Sequence, residues 1–218
     1  MKRIFYYLPL LLCLPFANAQ SSFDVNVGFG TQIDKTSGAG IDNINSTNAF
    51  GSCTPGGSDA NCVKTPALNS FFLGLGASVM ATKRFGFGGD VMITPAKSNY
   101  AGLDFRQTFY DIDAIYAPVN QKKVALQLKG GIGGAKTSFS YTQSSCVGTA
   151  VCTKQSQAVG NASHFAVNAG VGVQVFVSEH IFIKPEFTFH YVPNFTQQFG
   201  SNMVPGAMVW VGYSMGDR

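Results

Sequence analysis

An alternation of apolar residues with polar residues and glycines recurs along this chain, and it constrains the fold more than any other feature. The first clear example runs from Phe23 to Phe29, where every odd position is apolar. A longer example runs from Phe165 to Val177 with the same period. Because successive side chains of an extended strand point to opposite faces, a period of two predicts β-strands with one apolar and one polar face.

The alternation predicts eight strands joined by connections of alternating length. The predicted strands are 22–32, 68–80, 85–94, 104–117, 124–138, 163–177, 181–192 and 204–215. Long or medium loops are predicted at 33–67, 95–103, 139–162 and 193–203, and short turns at 81–84, 118–123 and 178–180. Short and long connections therefore fall at opposite ends of an antiparallel sheet.

The first 19 residues have the three-part pattern of a secretory signal peptide. Lys2 and Arg3 precede the apolar run 4–16, and small residues end the segment at Ala19. The apolar run is shorter than the ~20 residues that a membrane-spanning helix needs. Cleavage after Ala19 is therefore predicted, which leaves residues 20–218 as a single domain.

Charge separates the two faces of the predicted strands. Asp, Glu, Lys and Arg make up 12% of the chain, about half of their share in a soluble domain. The apolar rows of the strands predicted at 68–80, 124–138, 163–177 and 181–192 are interpreted as free of these four residue types. A soluble lipocalin-type barrel would turn its apolar rows inward and its charges outward. An uncharged outward row instead predicts contact with lipid, so we expect strands that cross a membrane.

This pattern resembles the OmpA/OmpX-like family of small outer-membrane proteins. The resemblance covers residues 20–218 and rests on the strand pattern, the glycine-rich segment 130–134 and the closing segment 206–213. It implies an all-β fold with a single eight-stranded antiparallel up-and-down transmembrane β-barrel. It also implies the bacterial outer membrane as the location, with the outer-membrane lipid bilayer around a monomeric protein.

Four cysteines remain after the signal peptide. They are Cys53, Cys62, Cys146 and Cys152. Export favours disulfides, and four cysteines allow three connectivities. Cys53 with Cys62 and Cys146 with Cys152 are the expected pairs, because each closes a short local loop. Neither spacing matches a zinc site and no histidine lies near either pair, so no metal is expected.

The polar faces of the strands predict a barrel lumen that contains charges. The expected network consists of Asp90, Asp111, Asp113, Gln127, Lys129, Gln174, Lys184 and Glu186. Two interpretations remain open: a hydrogen-bonded plug, or a selectivity filter or proton path. The plug is favoured, because the interior of an eight-stranded barrel is just wide enough for its own side chains.

Hairpin symmetry predicts the register of two strand pairs. Around Asn120, the expected opposite residues are Asp111 with Lys129, Asp113 with Gln127, and Tyr110 with Gly130. Around Glu179, they are Gln174 with Lys184, and Asn168 with His190. Pro185 has no N–H to donate, so an interruption of the strand pairing is expected there.

Aromatic residues near the predicted strand ends are expected to form two interfacial girdles. They are Phe85, Phe87, Tyr116 and Tyr213 at the short turns, and Tyr191, Phe195 and Phe199 at the loops. Arg106 shares the outward row with Tyr110. It is therefore expected either above the membrane, near lipid phosphates, or after a bulge that turns it to the other face.

The favoured function is structural support or surface interaction, with an extracellular ligand or surface bound by the long loops. Binding residues concentrate on loops that a rigid scaffold holds. A narrow porin-like channel for ions or small solutes is the alternative. A lipid-modifying enzyme is third, and Ser163, His164 and His190 are the residues that would serve it.

Several features of the sequence argue against catalysis, against cofactor binding and against nucleic acid as a partner. No catalytic spacing is present, so no catalytic residue is expected and the protein is interpreted as not being an enzyme. The segment 130–137 differs from a phosphate-binding loop at Ala135 and no helix follows it, so no cofactor is expected. Loss of Lys2 and Arg3 with the signal peptide lowers the formal net charge from +4 to +2, which does not favour nucleic acid.

Overall fold

The computed structural model describes the backbone of residues 22–147 and 151–216, and the side chains of residues 22–144 and 153–216. Residues 1–21 lie outside this part of the chain. The signal peptide expected at 1–19 and the domain start at residue 20 therefore stay predictions.

Eight long strands form the wall of the molecule. They are β1 (Ser22–Gln32), β2 (Phe71–Met80), β3 (Phe85–Ile93), β4 (Leu103–Asn120), β5 (Val124–Val147), β6 (Val151–Phe176), β7 (Ile181–Tyr191) and β8 (Met203–Met215). Each strand pairs antiparallel with the next, and β1 also pairs with β8. This closed ring has no unpaired edge strand. It confirms the predicted all-β fold with an eight-stranded antiparallel up-and-down barrel.

Shorter elements lie at the end of the barrel that carries the long loops. Gly40–Asp42 pairs on one side with Ser52–Cys53 and on the other with Cys62–Lys64. Ser98–Tyr100 pairs with the start of β4, and Phe195–Gln197 forms a single 3₁₀ turn. Among the described residues, no helix is long and apolar enough to cross a membrane.

The hairpin of β5 and β6 is much longer than the sequence pattern predicts. A loop is predicted at 139–162, whereas β5 continues to Val147 and β6 begins at Val151. We call this extension the arm (residues 139–147 and 151–162). Most of its described side chains are exposed, whichever face they occupy. Because water covers both faces, neither face has to be apolar, and the alternation that indicates a strand is missing.

The hairpin of β6 and β7 has the predicted register, with Asn168 opposite His190. The pairs stop at Gly172 and resume three residues later, so Lys184 and Pro185 have no partner on β6, although both pair with β8. The missing N–H of proline explains this interruption, which lies where the sequence predicts it.

The register predicted for β4 and β5 is wrong by four residues. Asp111 pairs with Gly133 rather than with Lys129. The pairing shifts by one residue at 117–118, and the turn lies at 121–123 instead of being centred on residue 120. Because the difference of four is even, the paired residues on the loop side of this shift keep their predicted faces.

The same difference changes two other predicted pairs. Asp113 lies opposite Gly131 rather than Gln127, and Tyr110 lies opposite Gly134 rather than Gly130. A Cβ atom on Gly134 would overlap the Tyr110 ring. An aromatic ring therefore covers bare backbone as expected, but at a different glycine.

The wall separates apolar from polar side chains. Outward-facing Val27, Leu75 and Ile112 are 58%, 66% and 72% exposed. Five aromatic residues predicted for the girdles also face outward near strand ends: Phe85, Phe87, Tyr116, Tyr191 and Tyr213. The inward rows are buried and contain most of the charges of the wall.

Apolar and aromatic side chains fill the half of the lumen that lies nearest the long loops. This apolar filling includes Phe72, Met92, Phe105, Phe109, Val204, Met208 and Trp210 from the strands, and Ile41, Leu68, Tyr100, Phe195 and Phe199 from the loops. Trp210 is fully buried. Its ring lies against Gly28 and Gly74, where any Cβ atom would overlap it.

The girdle prediction is wrong for Phe195 and Phe199, which are fully buried in the apolar filling. Their ring centroids are 4.8 Å apart, and Phe195 lies 6.3 Å from Phe109. The chain turns inward over the barrel mouth after β7, so the outward row cannot be extended past the end of that strand. Burial of both rings against other aromatic rings is favourable.

Replacement of Trp210 by alanine should lower the free energy of unfolding by about 3–5 kcal/mol, because it leaves a cavity between two glycines that cannot fill it. Equilibrium unfolding by urea in lipid vesicles, followed by circular dichroism, measures this loss. Ile112→Ala is the matched control and should cost clearly less, because lipid chains can occupy the space outside the wall. Equal losses for both variants would contradict the buried position of Trp210.

Candidate functional site

Lys129 of β5 is the centre of a polar network in the other half of the lumen. Its Nζ lies 2.5 Å from Asp90 Oδ2, 2.8 Å from Glu186 Oε1 and 3.5 Å from Asp113 Oδ2. Lys184 Nζ lies 2.9 Å from Glu186 Oε2. These five side chains are at most 10% exposed. Three carboxylates thus share two ammonium groups at a depth where an unpaired charge would be costly.

Two glutamines extend the network toward β1. Gln127 Nε2 donates to Gln174 Oε1 at 2.6 Å, and Gln174 Nε2 donates to Asp24 Oδ2 at 3.2 Å. Lys184 Nζ lies 5.7 Å from the ring centre of Trp210. The polar network and the apolar filling therefore meet at this cation and ring.

Asp111 has a different partner from the other carboxylates. Its Oδ2 lies 2.8 Å from His190 Nε2, and both side chains are buried. Asp90 lies directly opposite Asp111 in the ladder of β3 and β4, so two neighbouring acids pair with different bases. The sequence places His190 on the inward face but does not reveal this contact, because β4 and β7 meet across the lumen and share no hairpin.

All eight residues predicted for the network lie inside the barrel. One space among them measures about 20 Å³, which is room for about one water molecule. Further toward the loops, Thr137 Oγ1 donates to Gln107 Oε1 at 2.6 Å, and Gln32 Nε2 donates to Thr188 Oγ1 at 3.3 Å. The described side chains thus fill the lumen in two layers, one polar and one apolar.

The cysteines lie in the two longest extensions at the loop end. Cys53 and Cys62 form a disulfide between the outer strands of the small three-stranded sheet. Cys146 lies directly opposite Cys152 in the backbone ladder of the arm. Opposite Cα atoms in such a ladder are about 4.5–5.5 Å apart, within the range that a disulfide spans. Both side chains lie outside the described part, so the second disulfide stays a prediction.

A pocket of about 340 Å³ lies where the loops meet the base of the arm. It is lined by Ile41, Phe50, Tyr100, Leu103, Phe139, Val159, Gly160, Asn161, Ala162, Gln197 and Gln198. None of these residues is charged. We call this site the loop pocket. It combines aromatic surface with a few amide groups, as small-molecule sites commonly do.

Several contacts hold the loop pocket together. The Tyr100 hydroxyl donates to the Gln198 carbonyl at 2.6 Å, and burial raises the pKa of Tyr100 to about 12. Phe50 and Ala101 have φ values of 63° and 50°, in the left-handed region that costs energy for residues with a side chain. Such strained positions are concentrated at functional sites. The register of the arm also shifts at Gly160 on the pocket wall.

Asp34 joins two loops over the barrel mouth. Its backbone pairs with Leu68 through N–H donors at 2.7 and 2.9 Å. Its Oδ2 accepts a hydrogen bond from the Ser201 N–H at 3.3 Å. Burial raises the pKa of the Asp34 carboxyl to about 6, although the hydrogen bond from Ser201 acts in the opposite direction.

The residues considered for an enzyme are not assembled into a catalytic group. Ser163 is exposed on the outward row, whereas His164 lies on the opposite face, 2.6 Å from Gln198 Oε1. His190 lies deeper in the lumen with Asp111. The described residues also contain no group of three or more His, Cys, Asp or Glu residues that could hold a metal ion.

The family comparison identifies the class of protein to which this barrel belongs. A family model described as "Outer membrane protein beta-barrel domain" matches residues 8–204. The chain belongs to this outer-membrane β-barrel family. Its location is therefore the bacterial outer membrane, and the exposed apolar wall faces lipid.

Solved structures show the same fold at low sequence identity. Ail, the attachment invasion locus protein of Yersinia pestis, was crystallised in complex with the heparin analogue sucrose octasulfate. It is 14% identical with a TM-score of 0.52, and the match covers 90% of this chain and 99% of Ail. No curated protein sequence matches this chain.

Two further outer-membrane structures are similar to this chain. OprG from Pseudomonas aeruginosa is 13% identical with a TM-score of 0.49, over 93% of this chain and 99% of OprG. The outer-membrane protease OmpT from Escherichia coli is 9% identical with a TM-score of 0.43, over 93% of this chain and 100% of OmpT. At these identities the likeness concerns the fold alone.

Replacement of Lys129 by methionine should lower the free energy of unfolding by about 3–5 kcal/mol, because three buried carboxylates lose their shared cation. Urea unfolding in lipid vesicles measures the change. Lys122→Met, in the exposed turn between β4 and β5, removes the same charge and should have little effect. A similarly small effect for Lys129→Met would contradict the network.

Burial of the Asp34 carboxyl between the loops should become less favourable as pH rises, because the cost of burying the ionised group exceeds its gain from the Ser201 N–H. The pKa of Asp34 is about 6 in the folded protein against an ordinary 3.8, so the folded state binds the proton more tightly. The stabilisation of the folded state by the buried, protonated Asp34 is fully present below about pH 4 and is lost as pH rises through 6. Hydrogen exchange of residues 199–202, compared at pH 5 and pH 7.5 after correction for intrinsic rates, should show this loss. Asp34→Asn should abolish the difference, and an unchanged difference in that variant would contradict the assignment.

Proposed function

We propose that this protein is a non-conducting outer-membrane barrel that binds an extracellular ligand or surface through its loops. The observation that carries the proposal is the filled lumen, in which the Lys129 network and the apolar filling follow one another. Phe195 and Phe199 close the end of the barrel that carries the loops. A scaffold of this kind holds loops rigidly and does not need a passage.

The loop pocket supports a binding role and indicates the chemistry of the ligand. Phe50 presents 41% of its surface, and the amides of Asn161 and Gln197 lie at the same pocket. Since no lining residue is charged, the pocket fits a neutral ligand with one apolar face and several hydroxyl groups, such as an uncharged sugar. Ail was crystallised with a sulfated sugar analogue. The two proteins would therefore differ in the charge of the sugar that they bind.

The channel and the enzyme are less well supported. A channel would need water beside the network, where one space holds only about 20 Å³. An enzyme would need a nucleophile next to a base, and Ser163 and His164 lie on opposite faces of β6. We therefore infer a binding protein without catalytic activity. The closed ring also supports a monomer, because every strand of the wall has partners on both sides.

Planar-bilayer recordings test the closed lumen. The refolded protein should give no steady discrete openings, because side chains occupy the passage. Phe195→Ala with Phe199→Ala removes part of the closure at the loop end, and it should still not conduct while the Lys129 network remains. Steady openings of the wild-type protein would contradict the proposal and favour the narrow channel.

Binding to arrays of neutral and sulfated oligosaccharides tests the loop pocket. The protein should retain neutral sugars, and Phe50→Ala should weaken retention about tenfold, as expected for loss of a central aromatic contact. Tyr141→Ala is the matched control, because Tyr141 is also 41% exposed but lies on the arm outside the pocket. Retention of sulfated sugars alone, or equal effects of both variants, would contradict the proposed ligand class.

A further inference from the structure

A groove on the lipid-facing side of the wall is a second site that the proposed function does not use. It measures about 610 Å³ and crosses strands β2 to β6. Its outward lining residues are Leu75, Ala77, Gly89, Val91, Tyr110, Ile112, Ile132 and Phe165. Ala77 and Gly89, which have a methyl group and no side chain respectively, lie opposite each other in the ladder. They form the floor between the larger residues.

Two cations lie directly above this groove on the same outward rows. On β5, Lys136 lies two residues after Gly134, toward the loop end. On β4, which runs in the opposite direction, Arg106 lies four residues before Tyr110 and therefore also toward the loop end. The ladder of β4 and β5 is continuous over this stretch, so no bulge turns Arg106 to the lumen. Arg106 therefore lies on the outward row above the apolar wall, the first of the two alternatives that its sequence position allows. Lys136 is an exception to the expected uncharged outward face.

Neither cation is neutralised by a described carboxylate. Arg106 donates from Nη2 to the Pro95 carbonyl at 3.2 Å, and its Nε has no partner. Asp104, the nearest acid along the row, accepts a hydrogen bond from the Thr142 hydroxyl. The side chain of Lys136 is exposed. Two positive charges at the upper edge of an apolar wall are complementary to the phosphates of lipid headgroups.

We infer that this groove, together with Arg106 and Lys136, binds one lipid of the outer leaflet whose phosphate-containing headgroup has a net negative charge. The acyl chains occupy the groove, and the phosphate lies between the two cations. The groove volume of about 610 Å³ is within the ordinary range of ligand sites, about 300–1,000 Å³. Both parts are needed, since the cations give the headgroup preference and the groove gives the chain contact.

A second outward groove provides an internal comparison. It measures about 470 Å³ and includes Phe29, Val171, Pro185, Phe187 and Ala207. The outward rows of β7 and β8, which contribute to it, contain no Lys or Arg. Lipid chains can contact both grooves, but a preference for anionic phosphate headgroups is expected only at the groove below Arg106 and Lys136.

Native mass spectrometry of the refolded full chain in detergent tests the site. The probes are phosphatidic acid and phosphatidylcholine with identical acyl chains. One phosphatidic acid should remain bound per barrel, with weaker retention of phosphatidylcholine. Arg106→Gln with Lys136→Gln should reduce phosphatidic acid retention about thirtyfold, because each basic residue near a membrane surface contributes to binding of an anionic headgroup. Lys136→Arg should retain binding.

Matched variants separate the site from general charge and general lipid contact. Lys154→Gln removes an exposed lysine on the arm, and Ala207→Leu fills the second groove, so neither should change phosphatidic acid retention. Ala77→Leu fills the first groove and should reduce it. Equal retention of the two lipids, equal effects of the two leucine variants, or full displacement by inorganic phosphate alone would overturn the inference. Heat-dependent electrophoretic mobility confirms that each variant is folded.

Discussion

Lipid offers no partner for a backbone amide or a charged side chain, and the architecture of this protein follows from that constraint. The ring of eight strands pairs every strand edge, so the wall has no unpaired ladder. The charges that the strands carry at membrane depth are placed inside. There they need partners, and Lys129 supplies one to Asp90, Asp113 and Glu186 together. The position of Lys129, together with the contact of Lys184 with Glu186, thus allows three acids to be buried on three different strands.

The second layer of the lumen depends on residues of a different kind. The ring of Trp210 lies over the inner face of β1 and β2, because Gly28 and Gly74 leave room for it. Phe195 and Phe199 continue the same packing into the loop that closes the mouth. The loops are therefore part of the packed interior as well as the outer surface. This connection explains how a pocket with strained residues can be held above the barrel.

The sequence predicts most of the strands of the wall, but it predicts little of the segments that connect them. The bounds of β1 and the register of Asn168 with His190 are predicted correctly, because lipid on one side and the lumen on the other enforce the alternation. The arm is not predicted, since water covers both of its faces. The β4 and β5 register is missed because the turn and an irregularity near residue 117 are not symmetric around residue 120.

The sequence predicts which polar residues lie in the lumen, but it does not predict which of them contact each other. All eight polar residues assigned to the lumen lie there, because strand parity alone decides the face. The contact of Asp111 with His190 crosses the lumen, and no local pattern encodes such a distance. Burial of Phe195 and Phe199 is missed for a related reason, since parity has no meaning after a strand ends. Lys136 lies on a row expected to be uncharged, beyond Gly134 in the direction of the loops.

Quenching of the native fluorescence tests the filled lumen most directly, because Trp210 is the single tryptophan of the chain and lies between the two layers. The measurement is the Stern–Volmer constant for acrylamide, a neutral quencher dissolved in water, with the wild-type protein in lipid vesicles. A constant far below that of free tryptophan is expected, because packed side chains surround the indole. A constant close to that of free tryptophan would show water beside Trp210 and would contradict the filled lumen.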